Sequence, residues 1–440
     1  MQSCDTADTT TAGVSPPTGS IPPPPPQPVA TSPPKSSRPR ATSAYLNNPT
    51  SILPVSIPAW NSEASSSALR NNQHILENIS HIMKSFCPLL SVSSIDDLNV
   101  KQLGGGLSNT LYLINGLQEG QAVSCLIRVH SEEDVLVERE TECSIAGYLS
   151  ETGIAPRFFG RFQNGRVEEF YEGHVPLGHL DMSPTPAQLA SPSAPLSYAY
   201  HIYDLMASFH SLPPPSCLSP SPHGTIYAKT DKWIALCEGY MSSSSGSGLS
   251  SKVSSKLEPG TYEGMKSLWS SVSSSLLLPP ANAWEEYSRS VRFCHMDLQS
   301  LNVLRHSPSS SLSVKLIDFE YACLNPRFAD VGNTWCECCD FNNGRADMEK
   351  EYPRGETARW CIRRYVEASG GATVEEMAEG AGVEVGVMLD GLVEEARKFS
   401  VATSLAWCFW SFVQEEVSAV EFDYLKYARE RWEGVSWLRE

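Results

Sequence analysis

The sequence lacks any uninterrupted apolar run of about 18 residues, the length from which a membrane-spanning helix is expected. It also lacks an excess of positive charge, because 33 lysines and arginines face 50 aspartates and glutamates and leave a formal net charge of −17. A surface of that sign repels the phosphates of nucleic acids. We therefore expect neither stable membrane insertion nor binding to nucleic acid.

The cysteines do not form a regular framework. There are 13 of them at scattered positions, and an odd, irregular set favours reduced thiols over disulfides. Cys336, Cys338 and Cys339 stand close together but lack the two spaced ligand pairs of a closed zinc site. These features predict a cytoplasmic protein in which this cluster holds no zinc.

Proline and serine are concentrated in two segments. Fourteen of the 32 prolines fall in residues 1–60, and a segment so poor in apolar residues cannot offset the entropy lost on ordering. We predict a disordered tail over residues 1–70, with docking of a proline-reading partner as the alternative. Nine of the fifteen residues in 241–255 are serine, which we interpret as a surface insertion.

The remaining chain divides into two parts with different patterns. Residues 71–175 carry strand-like runs around one helical stretch at 135–150, whereas residues 176–440 are mostly helical by periodicity. The strand-like runs are 110–115, 123–130, 157–162 and 166–171, and two short apolar runs at 291–294 and 312–319 interrupt the helical part. The pattern predicts an α+β fold with a small β-rich N-terminal lobe and a larger, mostly helical C-terminal lobe.

Polar residues typical of phosphoryl transfer lie in two segments of the larger part. His295 and Asp297 form a His-x-Asp motif with Asn302 five residues after the aspartate, and Asp318 follows sixteen residues later behind an apolar run. This order and spacing are typical of the catalytic loop of kinase-like phosphotransferases. One carboxylate must lie beside the attacking hydroxyl, while an amide and a second carboxylate hold Mg²⁺ against the phosphates. We therefore predict that Asp297, Asn302 and Asp318 are catalytic, with Asn302 and Asp318 in the metal role.

The small lobe offers a loop and a cation for the phosphates. Three consecutive glycines, Gly104 to Gly106, allow the backbone to approach a triphosphate closely, although a flexible turn is the alternative interpretation. The next strand carries Arg128 where a protein kinase has its phosphate-pairing lysine. A helix with three glutamates follows, and spacing favours Glu142 as the ion-pair partner of Arg128.

These motifs together resemble the choline/ethanolamine kinase family over about residues 96–435. The segments that carry the likeness are residues 105–109, 157–170, 295–302, 317–333 and 407–428. The resemblance implies a protein-kinase-like two-lobe fold and an ATP-dependent kinase with Mg²⁺ as its metal. Its implied reaction is the phosphorylation of choline, and of ethanolamine as well, to the phosphorylated alcohol, the first step of CDP-choline phospholipid synthesis.

The resemblance also assigns the site residues. Those assigned to ATP, together with Glu142 from its spacing, are Gly104, Gly105, Gly106, Leu107, Ser108, Asn109, Thr110, Arg128, Glu169, Phe170, Tyr171, Gln299 and Asp318. Those assigned to the alcohol are Gly106, Leu107, Ser108, Tyr321, Asp330, Glu337, Trp407, Trp410 and Tyr427. Glu320 joins Asn302 and Asp318 as a metal ligand. Aromatic faces with nearby carboxylates suit a quaternary ammonium, which cannot donate hydrogen bonds.

Three positions depart from the family pattern and keep alternatives open. Met296 and Leu301 replace the usual asparagine and glycine of the catalytic loop, and His130 stands where a tyrosine is usual. The alternatives are an ethanolamine kinase, another small-molecule kinase of the same fold, and a nucleotide-binding scaffold that has lost activity. Gln299 and the pair Cys336–Glu337 are similar to the choline-type sequences of the family, and this resemblance favours choline. The oligomeric state stays open, with a homodimer among the alternatives.

Overall fold

The computed structural model describes residues 51–57, 73–86, 99–103, 109–118, 121–130, 136–191, 197–219, 221, 223–242, 248–306, 312–418 and 420–440. These residues all belong to one compact unit of the chain. Most of the predicted tail, residues 1–50 and 58–70, lies outside the described residues.

The small lobe is built on a six-stranded sheet. Its strands are β1 (Ile52–Leu53), β2 (Asn99–Leu103), β3 (Asn109–Gln118), β4 (Gln121–His130), β5 (Phe158–Phe162) and β6 (Gly165–Glu169). They lie in the order β1-β5-β6-β4-β3-β2, antiparallel except for the parallel pair β1–β5. The four strand-like runs of the sequence are thus confirmed as strands, with bounds shifted by up to three residues.

Helix α1 (Gln73–Phe86) covers one face of this sheet. Its apolar residues recur every three or four positions, at Ile75, Ile79, Ile82 and Phe86, and all four are buried. The ring of Phe86 packs onto Gly160, where a Cβ atom would come within 2.2 Å of the ring. Only glycine lets the helix pack this closely on β5.

The predicted tail boundary at residue 70 is wrong for residues 51–57. Leu53 and Ile57 are buried in the core of the small lobe, and β1 pairs with β5. The side-chain amide of Asn164 accepts from the Ile57 N–H at 3.0 Å and donates to the Ile57 carbonyl at 2.6 Å. The proline-rich composition concealed two apolar residues, Leu53 and Ile57, that become buried only when the lobe folds.

The large lobe is mostly helical. Helix α2 (Arg139–Thr152) precedes it in the chain. The first α-helices of the large lobe are α3 (Pro186–Ala190), α4 (Tyr198–Ser211), α5 (Ile226–Ser242), α6 (Leu249–Lys256), α7 (Thr261–Leu277) and α8 (Ala283–Arg289). They are followed by α9 (Arg327–Cys336), α10 (Met348–Glu351), α11 (Gly355–Ala368), α12 (Val374–Ala381), α13 (Val385–Val417) and α14 (Tyr424–Leu438). None of the described helices is both long enough and apolar enough to cross a membrane.

The serine-rich segment is more ordered than the insertion we expected. Residues 243–247 lie outside the described residues, but α6 follows directly, with Leu249 and Val253 buried. These two residues are four apart and therefore share one face of the helix. Two apolar residues in the serine run are enough to pack α6 against the large lobe.

Short strands and one long helix position the functional loops. Strand β8 (Val291–Cys294) pairs with β11 (Cys323–Pro326), while β9 (Val303–His306) lies between β7 (His174–Pro176) and β10 (Val314–Leu316). Helix α9 packs on α13 at Gly332, where a Cβ atom would lie 2.5 Å from the backbone nitrogen of Ser400. This close packing fixes α9 beneath the loop that follows β8.

Candidate active site

The loop after β8 is held by a buried carboxylate from α9. The Asp330 side chain accepts hydrogen bonds from the backbone N–H groups of His295 and Met296, both at 2.7 Å, and contacts the ring of His210 at 3.0 Å. Met296 has a left-handed φ of 67°, a conformation that costs a side-chain-bearing residue roughly 1 kcal/mol or more. The Asp330 hydrogen bonds hold the loop in this unfavourable turn.

His295 orients the loop from within. Its Nε2 lies 3.1 Å from the Ile317 carbonyl, and its Nδ1 accepts the backbone N–H of Asp297 at 3.3 Å. Burial lowers the pKa of His295, which favours the neutral ring with the proton on Nε2. The histidine therefore joins the loop to the chain that carries Asp318.

Asp297 lies inside the site with two amides on its carboxylate. Asn302 donates to its Oδ2 at 2.7 Å, and Gln299 donates at 3.2 Å. Burial raises the pKa of Asp297, and the neighbouring carboxylates Glu337 and Asp318 raise it further. A carboxylate with an elevated pKa, fixed by amide donors, is suited to accept a hydroxyl hydrogen bond.

Asp318 follows β10 in a left-handed turn. Its φ is 63°, an uncommon conformation for a residue other than glycine, and its side chain is about one quarter exposed. Nη1 of Arg128 contacts both carboxylate oxygens, at 3.4 and 3.5 Å. Strain at this position is consistent with a functional requirement for where the carboxylate points.

The ion pairs of Arg128 differ from the predicted pairing with Glu142. Arg128 pairs with Glu168 on the neighbouring strand β6 at 3.3 Å and with Asp318. Glu142 instead pairs with Arg166 and Arg139, and these cations hold its pKa well below its usual range. The physical reason is the strand order. Strand β6 places Arg166 directly opposite Arg128 and Glu168 two residues further along on the same face, so Glu168 can pair with Arg128. Arg166 reaches Glu142 on the helix.

Glu320 is a second carboxylate that joins the lobes. It accepts from Asn109 of β3 at 3.3 Å and pairs with Arg139 of α2 at 3.5 Å. Burial, with the charge of Asp318, raises the pKa of Glu320 to about 8. The carboxylates of Glu320 and Asp318 therefore lie close enough together in the site for their negative charges to repel each other.

Four aromatic side chains form a wall next to these carboxylates. Trp407 and Trp410 of α13 meet edge to face with ring centroids 5.4 Å apart, and Tyr321 lies 5.2 Å from Trp407. Trp410 Nε1 donates to the Tyr321 hydroxyl at 2.7 Å, which fixes both rings. Tyr427 of α14 lies 6.3 Å from Trp410 and completes the wall.

A buried ion pair closes this end of the site. Glu337 pairs with Arg431 of α14, which also donates to the Tyr427 hydroxyl at 2.6 Å. The Arg431 guanidinium lies over the ring of Phe341 at 4.2 Å. Arg431 thus positions an acid and an aromatic ring together.

The catalytic loop, the carboxylates and the aromatic wall surround one cavity of about 790 Å³. The predicted site residues that line it are Asn109, Arg128, Glu169, Phe170, Tyr171, Asp297, Gln299, Asn302, Asp318, Glu320, Tyr321, Glu337, Trp407, Trp410 and Tyr427. Thr110 and Glu142 do not line it, and Gly104, Gly105, Gly106, Leu107 and Ser108 lie outside the described residues. The placement of Asp330 in the alcohol pocket is wrong, because its carboxylate is fully buried and holds the loop from behind.

The structure adds polar residues that sequence reasoning missed. Asp340, Asn342 and Asn343 line the cavity, and Asn342 donates to Oε1 of Gln299. Gln299, which the family resemblance assigns to ATP, therefore also connects Asn342 to Asp297. Three polar residues within four positions, shortly after Glu337, were the available signal.

The chain is similar to known proteins over most of its length. Residues 100–435 match the sequence model of the choline/ethanolamine kinase family. The chain is similar to probable choline kinase 2 of Arabidopsis thaliana, with 26% identity over 78% of this chain and 85% of the relative. It is 28% identical to probable ethanolamine kinase A of Dictyostelium discoideum over 80% of this chain and 88% of the relative.

A solved structure shares the fold. The crystal structure of a choline kinase from Cryptosporidium parvum superposes with a TM-score of 0.63 at 20% identity, covering 82% of this chain and 95% of that one. This likeness confirms the predicted protein-kinase-like arrangement of a small β-rich lobe and a larger helical lobe.

Proposed function

The chain belongs to the choline/ethanolamine kinase family and is a kinase, and on that premise we propose that it transfers the terminal phosphoryl group of ATP to the hydroxyl of choline. Ethanolamine is proposed as a second substrate. The product, phosphocholine, would enter CDP-choline phospholipid synthesis. The observation that carries the proposal is that the aromatic wall and Asp297 line the same cavity.

The aromatic wall supports a cationic alcohol as the substrate. Trp407, Trp410 and Tyr321 present ring faces and edges held by hydrogen bonds, so the wall needs little reorganisation to receive a cation. A cation over such a ring gains roughly 0.5–2 kcal/mol. Glu337 and Asp340 add negative charge to the same cavity. An aminoglycoside or other sugar substrate would instead need a cavity lined mainly by hydrogen-bonding groups.

Asp297 is proposed to position the alcohol and accept its proton. Asn302 and Gln299 hold its carboxylate, and its raised pKa makes it a better proton acceptor than an exposed aspartate. Arg128 and Asn109 lie where they can bind phosphate oxygens, and residues 169–171 border the cavity at the junction of the lobes, where the adenine is proposed to lie. Gly104 to Thr110 keep their proposed role as the phosphate loop.

The donor set fits Mg²⁺. Asp318 and Glu320 are hard oxygen ligands, and the mutual repulsion that raises the pKa of Glu320 is relieved by a divalent cation. The amide nitrogen of Asn302 donates to Asp297, so its oxygen is the atom left to meet a metal. We propose Asn302, Asp318 and Glu320 as the metal ligands. When bound, the metal would neutralise charge on the ATP phosphates.

We propose that the enzyme works in the cytoplasm. Cysteines in the described part of the chain are free thiols, which supports a reducing compartment such as the cytoplasm. The homodimer stays a prediction that sedimentation analysis of the purified protein would test.

The deciding experiment is ATP turnover by the purified protein with choline and with ethanolamine, side by side. We expect Mg²⁺-dependent turnover of both, with the larger kcat/KM for choline because an aromatic wall favours the quaternary ammonium. An Asp297→Asn variant serves as the control for contaminating kinases. A larger kcat/KM for ethanolamine would support the alternative that the protein is an ethanolamine kinase. If a folded, ATP-binding protein turned over neither alcohol, this would support the alternative of a nucleotide-binding scaffold that has lost activity.

A further inference from the structure

Two rings of the aromatic wall separate the active-site cavity from a second, smaller cavity of about 30 Å³. Tyr321 and Trp407 are the two residues that line both cavities. Lys229 and Trp233 line the smaller cavity but not the active-site cavity. These two side chains therefore lie behind the wall, on the side away from the proposed substrate.

Helix α5 provides this second layer of side chains. Lys229 and Trp233 are four residues apart and therefore share one face of the helix. Trp233 packs behind Trp407 with ring centroids 6.5 Å apart, and the Lys229 ammonium lies 6.0 Å from the ring centre of Tyr321. One ring of the wall is thus backed by an uncharged ring, and the other is backed by a cation.

The charge of Lys229 is not neutralised by an acid in the described part of the chain. Its ammonium donates a hydrogen bond to the backbone carbonyl of Tyr321 at 3.3 Å, and it forms no ion pair with a described aspartate or glutamate. Arg128, which lines the active-site cavity, is by contrast paired with Glu168 and Asp318. Lys229 is half-buried, so solvent and salt screen its charge only in part.

A positive charge in this place acts against a cationic substrate. A cation interacts with an aromatic ring when it lies within about 6 Å of the ring centre, so a substrate held by Tyr321 would lie roughly 10–12 Å from the Lys229 ammonium. At that separation, repulsion between two like charges at a protein surface changes an affinity by up to about tenfold. Partial exposure of Lys229 reduces the expected effect to about threefold.

We propose that Lys229 is a specificity-determining residue, whose charge behind Tyr321 lowers the affinity for cationic alcohols relative to neutral alcohols of the same shape. The inference rests on the proposed function, since it requires a cationic alcohol against the aromatic wall. Lys229 does not line the active-site cavity, so it acts through the ring of Tyr321 and through its electric field. It opposes the preference for a cation that the wall and the acid Glu337 create.

Choline and its uncharged analogue 3,3-dimethylbutan-1-ol, in which carbon replaces the nitrogen, test the proposal. The full chain is assayed with MgATP, with choline as the substrate and the neutral alcohol as a competitive inhibitor. Lys229→Met keeps an apolar side chain behind Tyr321 and removes the ammonium. We expect the KM for choline to fall about threefold and the Ki of the neutral alcohol to stay the same. The ratio of this Ki to this KM should therefore rise about threefold, and the difference from the wild type should shrink as the salt concentration rises.

Two further variants control for other effects of the substitution. Lys229→Arg keeps the charge and should keep the wild-type ratio. Lys232→Met removes the same charge from an exposed position on the same helix and should also leave the ratio unchanged.

The ratio separates an electrostatic role from a structural one. If Lys229 only held the carbonyl of Tyr321, Lys229→Met would weaken both alcohols by the same factor. An unchanged or lower ratio in Lys229→Met, or an equal rise in Lys232→Met, would therefore overturn the proposal. Failure of the wild-type protein to turn over choline would refute the proposed function, and this inference with it, before any variant is measured.

Discussion

Nη1 of Arg128 lies 3.4 Å from Oδ1 of Asp318, and this ion pair joins β4 of the small lobe to the turn after β10 of the large lobe. Asp318 keeps its left-handed backbone there, while Arg128 is also held by Glu168. Arg128, proposed to bind phosphate oxygens, and Asp318, proposed to bind the metal, therefore lie side by side at one wall of the cavity. Nucleotide binding should therefore depend on both residues, but only Asp318 should make it depend on metal.

Asp318→Asn is expected to weaken binding of ATP in the presence of Mg²⁺ by about tenfold or more, because a charged metal ligand is replaced by a neutral one. Binding of metal-free ATP should not weaken, since the variant removes negative charge. Isothermal titration calorimetry with and without Mg²⁺ measures the two affinities for ATP. Asp340→Asn, which lines the same cavity, is the matched control. Equal losses in the two variants would indicate general electrostatics rather than metal coordination.

Asp297→Asn should lower kcat by about 100-fold or more and leave the Kd for MgATP nearly unchanged. The substitution keeps the shape of the side chain near Asn302 and Gln299 but removes the proton acceptor. Steady-state kinetics and nucleotide titration on one preparation separate the two effects. A variant with near wild-type kcat would refute the catalytic role of this aspartate.

Trp410→Ala should raise the KM for choline two- to thirty-fold and leave the KM for ATP little changed, since a cation–ring contact is worth roughly 0.5–2 kcal/mol. Ethanolamine should lose less, because its ammonium can still donate hydrogen bonds to acids such as Glu337. Trp410→Phe, which keeps a ring, should preserve most of the choline affinity.

Trp335→Phe is the control for packing, because Trp335 is fully buried and does not line the cavity. It should lower the melting temperature without changing the ratio of kcat/KM for the two alcohols. The same behaviour in Trp410→Ala would assign Trp410 to the core.

Asp330→Asn should destabilise the fold by about 1–3 kcal/mol for each buried donor that loses its acceptor. Burial alone would raise the pKa of Asp330, but hydrogen bonds from His210 and from the backbone N–H of His295 outweigh it and lower this pKa. The contribution of the carboxylate is therefore present above its ordinary pKa of 3.8 and is lost as the pH falls through the folded value. The stability deficit of the variant should therefore shrink below about pH 4.

Urea unfolding at pH 7 and at lower pH measures this deficit. Asp390→Asn, which removes one of the two exposed ion-pair partners of Arg359, should cost less than about 1 kcal/mol. A deficit for Asp330→Asn that is equal at every pH would contradict the role assigned to the charge.

Ile57→Ala should destabilise the protein by about 2–5 kcal/mol, because a fully buried side chain of the small-lobe core is truncated. Ile52→Ala, two-fifths exposed on the same segment, should cost much less. Denaturant unfolding compares the two. Equal, small effects would mean that residues 51–57 do not contribute to the core and that the predicted tail extends through them.

The sequence by itself determined the reaction class and the site residues that lie close together in the chain. Asp297 and Asn302 share one loop, and Trp407 and Trp410 are one turn apart on one helix, so local spacing already places each pair together. The alternation of apolar residues likewise predicted the strands of the small lobe. These features depend on local geometry, which the order of residues specifies directly.

Only the tertiary structure decided the partners that come from distant elements. Glu168 rather than Glu142 faces Arg128 because β6 lies beside β4, and the sequence does not state the order of strands in a sheet. Asp330 does not lie in the alcohol pocket as predicted. The packing of α9 on α13 places it under the catalytic loop, where backbone N–H groups need an acceptor. The roles of Glu168 and Asp330 thus depend on burial and hydrogen bonding, which follow from how the strands and helices pack. Residue type and spacing in the sequence do not specify that packing.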